Sequence, residues 1–151
     1  MPSINDKIVL NFREVRKALA DLPARISKNV IRRAMYAGAV VIRDDARTRA
    51  PVETGALRSS IVAKASTTKE GEIYGSVGVD RKTFSRGKRK GRKPRRYAHL
   101  VEFGTVKSKA QPFLRPAMDT NIDRVLDVIA EAMRKGIDDE AAKAARKGLG
   151  K

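Results

Sequence analysis

A run of sixteen residues near the middle of the chain, RKTFSRGKRKGRKPRR at 81–96, carries ten basic side chains and no acidic one. Its like charges repel one another, and a segment with so few apolar residues cannot bury itself in a hydrophobic core. We therefore expect an exposed, mobile loop. The core must then be built from the residues on either side of it.

The residues before this run predict helices first. Apolar side chains at three- and four-residue spacing favour a short helix over 12–22, which Pro23 ends. A second, longer helix is expected to begin at Ser27 as its N-cap and to run to about Ala50, before Pro51. Residues 7–12 fit either an edge strand or the lead-in to a helix.

A hairpin is predicted between the long helix and the basic run. Thr54 and Gly55 supply a turn, and alternating apolar residues then favour strands at 57–66 and 72–80. Lys69, Glu70 and Gly71 form the turn between the two strands. Because so short a connection joins antiparallel neighbours, we expect a small antiparallel sheet.

Two further segments follow the basic run. Residues 97–105 predict a short helix or strand, with Tyr97, Leu100, Val101 and Phe103 packing inward and Gly104 ending the element. Pro116 suits the first turn of a last helix, whose apolar face, which includes Met118 and Ile122, continues to about Lys135. The remaining residues are small and charged, so we expect them to be helical at most in part.

These elements indicate an α+β fold, in which a small antiparallel sheet is packed by a long central helix and a C-terminal helix, with a long basic loop. The length of 151 residues suits one domain, which we place at 1–135 with a charged tail at 136–151. The chain has no cysteine, which excludes disulfides and fits a reducing compartment. No signal-peptide or membrane-spanning pattern is present, so we expect a soluble intracellular protein.

The sequence offers little catalytic chemistry. His99 and Glu102 are spaced as two metal ligands on a helix would be, but two ligands do not complete a site, and a structural role is favoured. Asp44 and Asp45 would point in different directions from a helix, so ordinary solvated charge explains them better than a catalytic pair. We therefore predict no enzyme, no catalytic residue, no cofactor and no bound metal.

The basic run has three interpretations: contact with nucleic-acid phosphates, docking on an acidic protein surface, or simple solvation. Ten cations in sixteen residues exceed what solubility requires, and the whole chain carries a net charge of +17, so a role in contacting DNA or an acidic partner is favoured. With only Phe84 and Tyr97 nearby as aromatic surface, DNA contacts would be to phosphates and salt-dependent. The predicted contact residues are Arg86, Lys88, Arg89, Lys90, Arg92, Lys93, Arg95 and Arg96.

Three segments in fixed order carry more information than composition: APVETGALRSSI at 50–61, YAHLVEFGT at 97–105 and AQPFLRPAM at 110–118. Together with the long helix before them they resemble the tail-completion or head-tail joining proteins of long-tailed double-stranded DNA bacteriophages, over about residues 5–135. The basic run is longer than this pattern requires. The matching positions are Pro51, Thr54, Gly55, Leu57, Ser60, Tyr97, Glu102, Gly104, Thr105, Pro112, Phe113 and Pro116.

The resemblance implies a structural virion protein, made in the host cytoplasm, that forms a homo-oligomeric ring, six-fold in symmetry, between head and tail. Its partners would be neighbouring neck and tail proteins, with double-stranded DNA passing through the ring and no membrane. In that setting Tyr97, Phe103 and Phe113 are expected in the core or at a subunit contact. The alternatives are a tail terminator or minor tail component, and a basic nucleic-acid-binding protein.

Overall fold

The computed structural model describes residues 17, 19–53, 55–80 and 94–148. Five helices and two strands are numbered here in chain order. They are α1 (Ala24–Arg49), α2 (Ala56–Ser60), β1 (Ile61–Thr67), β2 (Ile73–Val79), α3 (Pro94–Phe103), α4 (Leu114–Asp119) and α5 (Ile122–Gly148). The two strands form one sheet.

The described residues fall into two compact units. The first contains the described residues up to Gly38, residues 65–75 and residues 123–148. Its core joins α1 to α5 through Val30 and Ala34 on one helix and Ile129 and Met133 on the other, with Leu19 beside them. Glycine allows the two helices to approach closely: a Cβ placed on Gly38 would lie 2.7 Å from Cγ1 of Ile129.

The second unit contains the described residues of 39–64 and 76–122. The small side chains of Ala46 in α1 and of Ala50 just after it let the next elements pack tightly against the end of this helix. Phe113 is completely buried in this core, and partly buried residues of β2 pack against it. The other buried members are Leu57, Ile61, Ala98 and Ala117.

One arginine ties α1 to the start of the sheet. The Arg47 guanidinium donates from Nε and Nη2 to the carbonyl oxygen of Ile61, at 3.0 and 2.7 Å. Ile61 is the residue at which α2 ends and β1 begins. A backbone carbonyl at the end of a helix has no partner within that helix and needs another hydrogen-bond donor. Here the guanidinium of Arg47, on α1, is that donor.

The expected α+β class is confirmed: a two-stranded antiparallel sheet with the long helix α1 and the C-terminal helix α5 packing against it. The second strand and the helical alternative for 97–105 are confirmed as well. The long helix lies where it was expected, but its N-cap was wrong. The carbonyl of Pro23 accepts from the amides of Ile26 and Ser27, so the helix begins at Ala24.

The first strand begins later than predicted. Residues 56–60 form α2, because Gly55 takes a left-handed conformation with φ of 70° and its carbonyl accepts from the amide of Ser59. Leu57 and Ser60 are both buried, a spacing of three that is helical and not the alternation of a strand. The Ser60 hydroxyl donates to the carbonyl of Leu57 at 2.7 Å, which satisfies its burial.

The predicted last helix was wrong at both ends. A break at residues 120–121 separates α4 from α5, because the side chains of Thr120 and Asn121 donate to helix carbonyls of α4. Met118 and Ile122, expected on a buried face, are therefore more than half exposed. At the other end α5 continues to Gly148, since Gly136 packs against Val30 and the alanines that follow favour helix.

Several sequence predictions fall outside the described residues. These include the element at 7–12, most of the helix at 12–22, Thr54 and the basic residues from 81 to 93. Arg95 and Arg96 were expected in the loop but lie exposed in the first turn of α3, whose first residue is the buried Pro94. Proline suits that position because its missing amide would have had no helical partner. The single domain at 1–135 stays a prediction.

The close approach of α1 and α5 generates a stability prediction. Replacing Gly38 by Val should lower the free energy of unfolding by about 1–3 kcal/mol, because the added carbons overpack against Ile129 and Val125. Chemical denaturation of the purified variants measures this change. Gly78→Val is the matched control, since a Cβ there meets nothing within 4 Å and valine suits a strand. An equal loss in both variants would contradict the packing argument.

Candidate functional site

Residues from all three sequence motifs line one cavity of about 360 Å³ in the second unit. Pro51, Gly55 and Leu57 border it from the segment that follows α1, and Tyr97 and Thr105 border it from α3 and the loop after it. We call this space the motif cavity. Five of the positions that carry the resemblance therefore lie together in the fold, although they are far apart in the sequence.

The motif cavity is apolar with charge at its border. Leu57, Leu100 and Val101 line it, together with one carboxylate, Glu53, and one ammonium, Lys109. Burial raises the pKa of the Tyr97 phenol, and the negative charge of Glu53 raises it further. Tyr97 therefore keeps its proton in neutral solution and can donate a hydrogen bond to a bound group.

Glu102 performs a structural task that the sequence motif did not reveal. Its buried carboxylate accepts hydrogen bonds from the backbone amides of Phe113, Leu114 and Arg115, at 2.8, 3.0 and 2.9 Å. These amides begin α4, where Phe113 is the N-cap residue and has no side-chain oxygen to offer. Glu102 thus caps α4 from another helix, a role that aspartate or serine usually fills locally.

The hydrogen bonds determine the protonation of this carboxyl. Burial raises the pKa of Glu102, but the three backbone amides and then the charge of Arg115 favour the carboxylate more strongly. The net result is a pKa below the ordinary value, so Glu102 is charged at neutral pH. Its negative charge also suits the positive end of the helix dipole.

His99 and Glu102, whose spacing would suit two metal ligands, do not form such a pair. His99 is exposed, and both oxygens of Glu102 are occupied by backbone amides. Within the part of the chain that the structure describes, no three His, Cys, Asp or Glu side chains lie close enough to hold a metal ion. None of the helices formed by these residues contains an apolar stretch that could span a bilayer.

Asp45 was expected to be ordinary solvated charge, and this was wrong. Its Oδ2 accepts from Asn121 at 2.7 Å and from Arg49 at 2.9 Å, which ties α1 to the break between α4 and α5. Partial burial raises the pKa of Asp45, but the hydrogen bonds from Arg49 and Asn121 outweigh it, so the pKa is lowered. Asp44 does carry exposed charge and pairs with Arg43.

The segment after α3 forms a tight loop, residues 104–110, that we call the tip loop. Gly104 begins it with φ of 76°, and a Cβ there would lie 2.7 Å from the amide nitrogen of Ala110. The Thr105 hydroxyl accepts from the amides of Lys107 and Ser108, and Thr105 and Ser108 form an antiparallel bridge. Backbone and side-chain hydrogen bonds therefore hold the loop in one shape.

Two apolar side chains at this loop face solvent. Phe103 is 77% exposed and Val106 is fully exposed. Phe103 was expected to pack inward, and this was wrong for the core because its position at the end of α3 is turned about 100° away from that of the buried Glu102. Phe113 is confirmed as a core residue, and Tyr97 is half-buried beside the same cluster. Leu100, also expected inward, is exposed.

Sequence reasoning missed the tip loop as a surface feature. The available signal was an apolar residue, Val106, between polar neighbours in a segment with no periodicity. Of the predicted basic contact residues, the structure describes Arg95 and Arg96, both exposed at the start of α3. The other six, from Arg86 to Lys93, lie outside the described residues.

Comparison with known proteins identifies a family. A family model described as "Bacteriophage HK97-gp10, putative tail-component" matches residues 13–104, which is more than half of the chain. The match includes α1, the hairpin and α3, and it ends before the segment AQPFLRPAM at 110–118. No curated protein and no solved structure matches the chain.

The cap of α4 generates a pH prediction. Because the pKa of Glu102 is lowered in the folded chain, its contribution to stability is present above the unfolded value of about 4.3 and is lost as pH falls through the folded pKa. Glu102→Gln should cost about 1–3 kcal/mol at pH 7, because one donor loses its acceptor. It should also flatten the dependence of stability on pH in the acid range.

Denaturant unfolding between pH 7 and pH 2 measures both effects. Glu131→Gln, an exposed acid on α5, is the matched control and should leave stability within about 0.5 kcal/mol. If Glu102→Gln kept the pH dependence of the unsubstituted protein, the cap would not be the source of acid sensitivity.

The two phenylalanines of this region give a matched pair. Phe113→Ala should lower the free energy of unfolding by about 3–5 kcal/mol, because it empties a completely buried site. Phe103→Ala should change it by less than about 0.5 kcal/mol, because the ring is exposed. Thermal and denaturant unfolding of both variants tests the assignment, and similar losses in the two would overturn it.

Proposed function

Because the chain belongs to the HK97-gp10-like family of bacteriophage tail components, we propose that it is a structural virion protein that forms a ring joining head to tail and lets DNA pass. The observation that carries this proposal is the family match over residues 13–104. The order and content of the sequence motifs support the more specific position at the head-tail junction.

The chemistry of the described residues supports a mechanical role. Three charged groups with several hydrogen bonds each, Glu102, Asp45 and Arg47, hold helices and the sheet in place. The remaining features of note, the motif cavity and the tip loop, offer apolar surface and exposed cations. Such surfaces suit contact with other proteins.

The ring would be a homo-oligomer of six subunits, in contact with neighbouring neck and tail proteins, assembled in the virion from chains made in the host cytoplasm. A ring that DNA crosses must bind it weakly, because many fixed phosphate contacts would stop its passage. The basic run at 81–96 supports this arrangement as a set of exchangeable phosphate contacts near the channel. Docking on an acidic neighbour is the rival role for the same residues.

A second candidate function follows from the description of the family, which names a tail component and does not mention the head-tail junction. A tail terminator or another minor tail component would have the same family match. A basic nucleic-acid-binding protein outside the virion is supported by the net charge of +17 alone.

Inactivating the gene in the phage tests the proposed position. We expect separate DNA-filled heads and complete tails in electron micrographs, and joining on addition of the purified protein. Tails of abnormal length would favour the terminator, and normal particles would overturn a required structural role. Light scattering of the purified protein at low and high salt should give a ring-sized mass without DNA, whereas a monomer that binds DNA tightly would favour the nucleic-acid factor.

The role of the basic run is tested separately. Replacing Lys88, Arg89, Lys90, Arg92 and Lys93 together by Ser should reduce DNA retention in joined particles if these residues meet DNA, and should block joining with retention unchanged if they dock on a protein. The matched control removes five exposed cations elsewhere, with Ser at Arg33, Lys69, Arg124, Arg134 and Lys135. Equal effects of the two sets would indicate net charge and not this segment.

A further inference from the structure

We propose that the tip loop and the end of α3 form a docking surface for another virion protein, one that presents an apolar recess bordered by carboxylates. This inference rests on the proposed function, since it concerns the partner that a joining or tail protein contacts. It names the surface used, which neither the family match nor the sequence motifs assign.

The tip loop and the end of α3 expose large apolar side chains to solvent. Phe103 and Val106 lie three residues apart and are the two most exposed large hydrophobic side chains among the described residues. Leu100, one turn earlier on α3, is also exposed. Contiguous exposed apolar side chains bordered by polar ones are typical of protein interaction sites, because water contact with them is unfavourable until a partner covers them.

Hydrogen bonds fix the tip loop in one conformation. Gly104 donates to the carbonyl of Leu100 at 2.9 Å, and Gln111 donates to that of Val101 at 2.8 Å, so both ends of the loop are fixed to α3. The Thr105 hydroxyl holds two further amides inside the loop. A loop already ordered before binding loses little conformational entropy when a partner arrives.

The exposed charged side chains of this surface and of the segment around it carry positive charge. Across the described residues 94–118 the only acidic side chain is Glu102, which is buried and bonded to backbone amides. The exposed charge of this segment is therefore basic and comes from Arg95, Arg96, Lys107, Lys109 and Arg115. Glu53 is the one carboxylate that lines the adjoining motif cavity. A partner with carboxylates around an apolar recess fits this pattern.

The same observations disfavour two other occupants. The same surface of a second copy carries the same exposed cations, so two copies meeting through it would repel each other. The phosphates of duplex DNA would pair with the cations but would leave Phe103 and Val106 in water, because phosphates offer no apolar surface that could bury these side chains. An acidic protein satisfies both the charge and the apolar side chains.

The test uses the purified full chain and particles from phage that lack its gene, namely DNA-filled heads and separate tails. Co-sedimentation measures the affinity for each particle. Phe103→Ser combined with Val106→Ser should weaken binding to one particle at least tenfold, as loss of central apolar contacts does. Lys107→Glu combined with Lys109→Glu should weaken it similarly, and binding of the unsubstituted protein should fall with added salt.

Matched controls separate the surface from general effects. Met118→Ser with Ile122→Ser removes two other exposed apolar side chains, and Lys69→Glu with Arg124→Glu reverses two other exposed cations. All variants are checked for unchanged unfolding midpoints, and the controls should bind as the unsubstituted protein does. If the tip variants bind equally well, the docking surface is wrong while the proposed function stands.

The remaining outcomes are equally decisive. If the unsubstituted protein binds neither heads nor tails, the proposed function fails and this inference with it. If the tip variants keep particle binding but lose affinity for a duplex DNA fragment, the surface contacts DNA and the inference is overturned. If they instead reduce the oligomer mass in light scattering, a second copy is the occupant, which overturns it as well.

Discussion

The second unit depends on one carboxylate that replaces a missing local cap. Glu102 accepts from the three amides that begin α4, and without it those donors would be buried beside Phe113 with no acceptor. The cost of leaving such groups unpaired is larger than the gain of an average hydrogen bond. Because Glu102 lies on α3, the same contact fixes the distance between α3 and the segment that carries Phe113. The core around Phe113 is therefore positioned by a charged group.

This constraint explains why the motifs are separated in sequence but adjacent in space. The segment at 110–118 must return to α3 to reach Glu102, and Gln111 bonds to Val101 on the way. The segment at 50–61 is drawn to the same region from α1 by Arg47, which holds the carbonyl of Ile61. Their meeting leaves the motif cavity between Leu57 and Tyr97. The motifs thus specify how three elements converge, and the cavity is a result of that convergence.

Much of the fold could be predicted because it follows from local periodicity. The apolar stripe of α1 and the alternation of β2 indicated their elements with nearly correct bounds. The predictions were wrong at positions whose secondary structure or burial depends on contacts that local periodicity does not show. Leu57 and Ser60 are helical because Gly55 turns the backbone before them. Helix α4 ends where the Asn121 side chain bonds to Ala117 and Asp45. Phe103 is exposed because Ala98 and Glu102 occupy the inner face of α3. At the site, the roles of Glu102 and Asp45 require partners eleven or more positions away, which spacing cannot reveal.

The hydrogen bonding of the tip loop restricts how any protein can recognise it. The amides of Gly104, Thr105, Lys107 and Ser108 are already bonded within the chain, so an incoming strand would find few free donors there. Recognition must use side chains and not an added strand. Since the side chains of Val106 and Lys107 project from a backbone that Gly104 and Thr105 hold, both can be exchanged without altering the loop. Related chains could thus change partners through single substitutions while keeping the same fold.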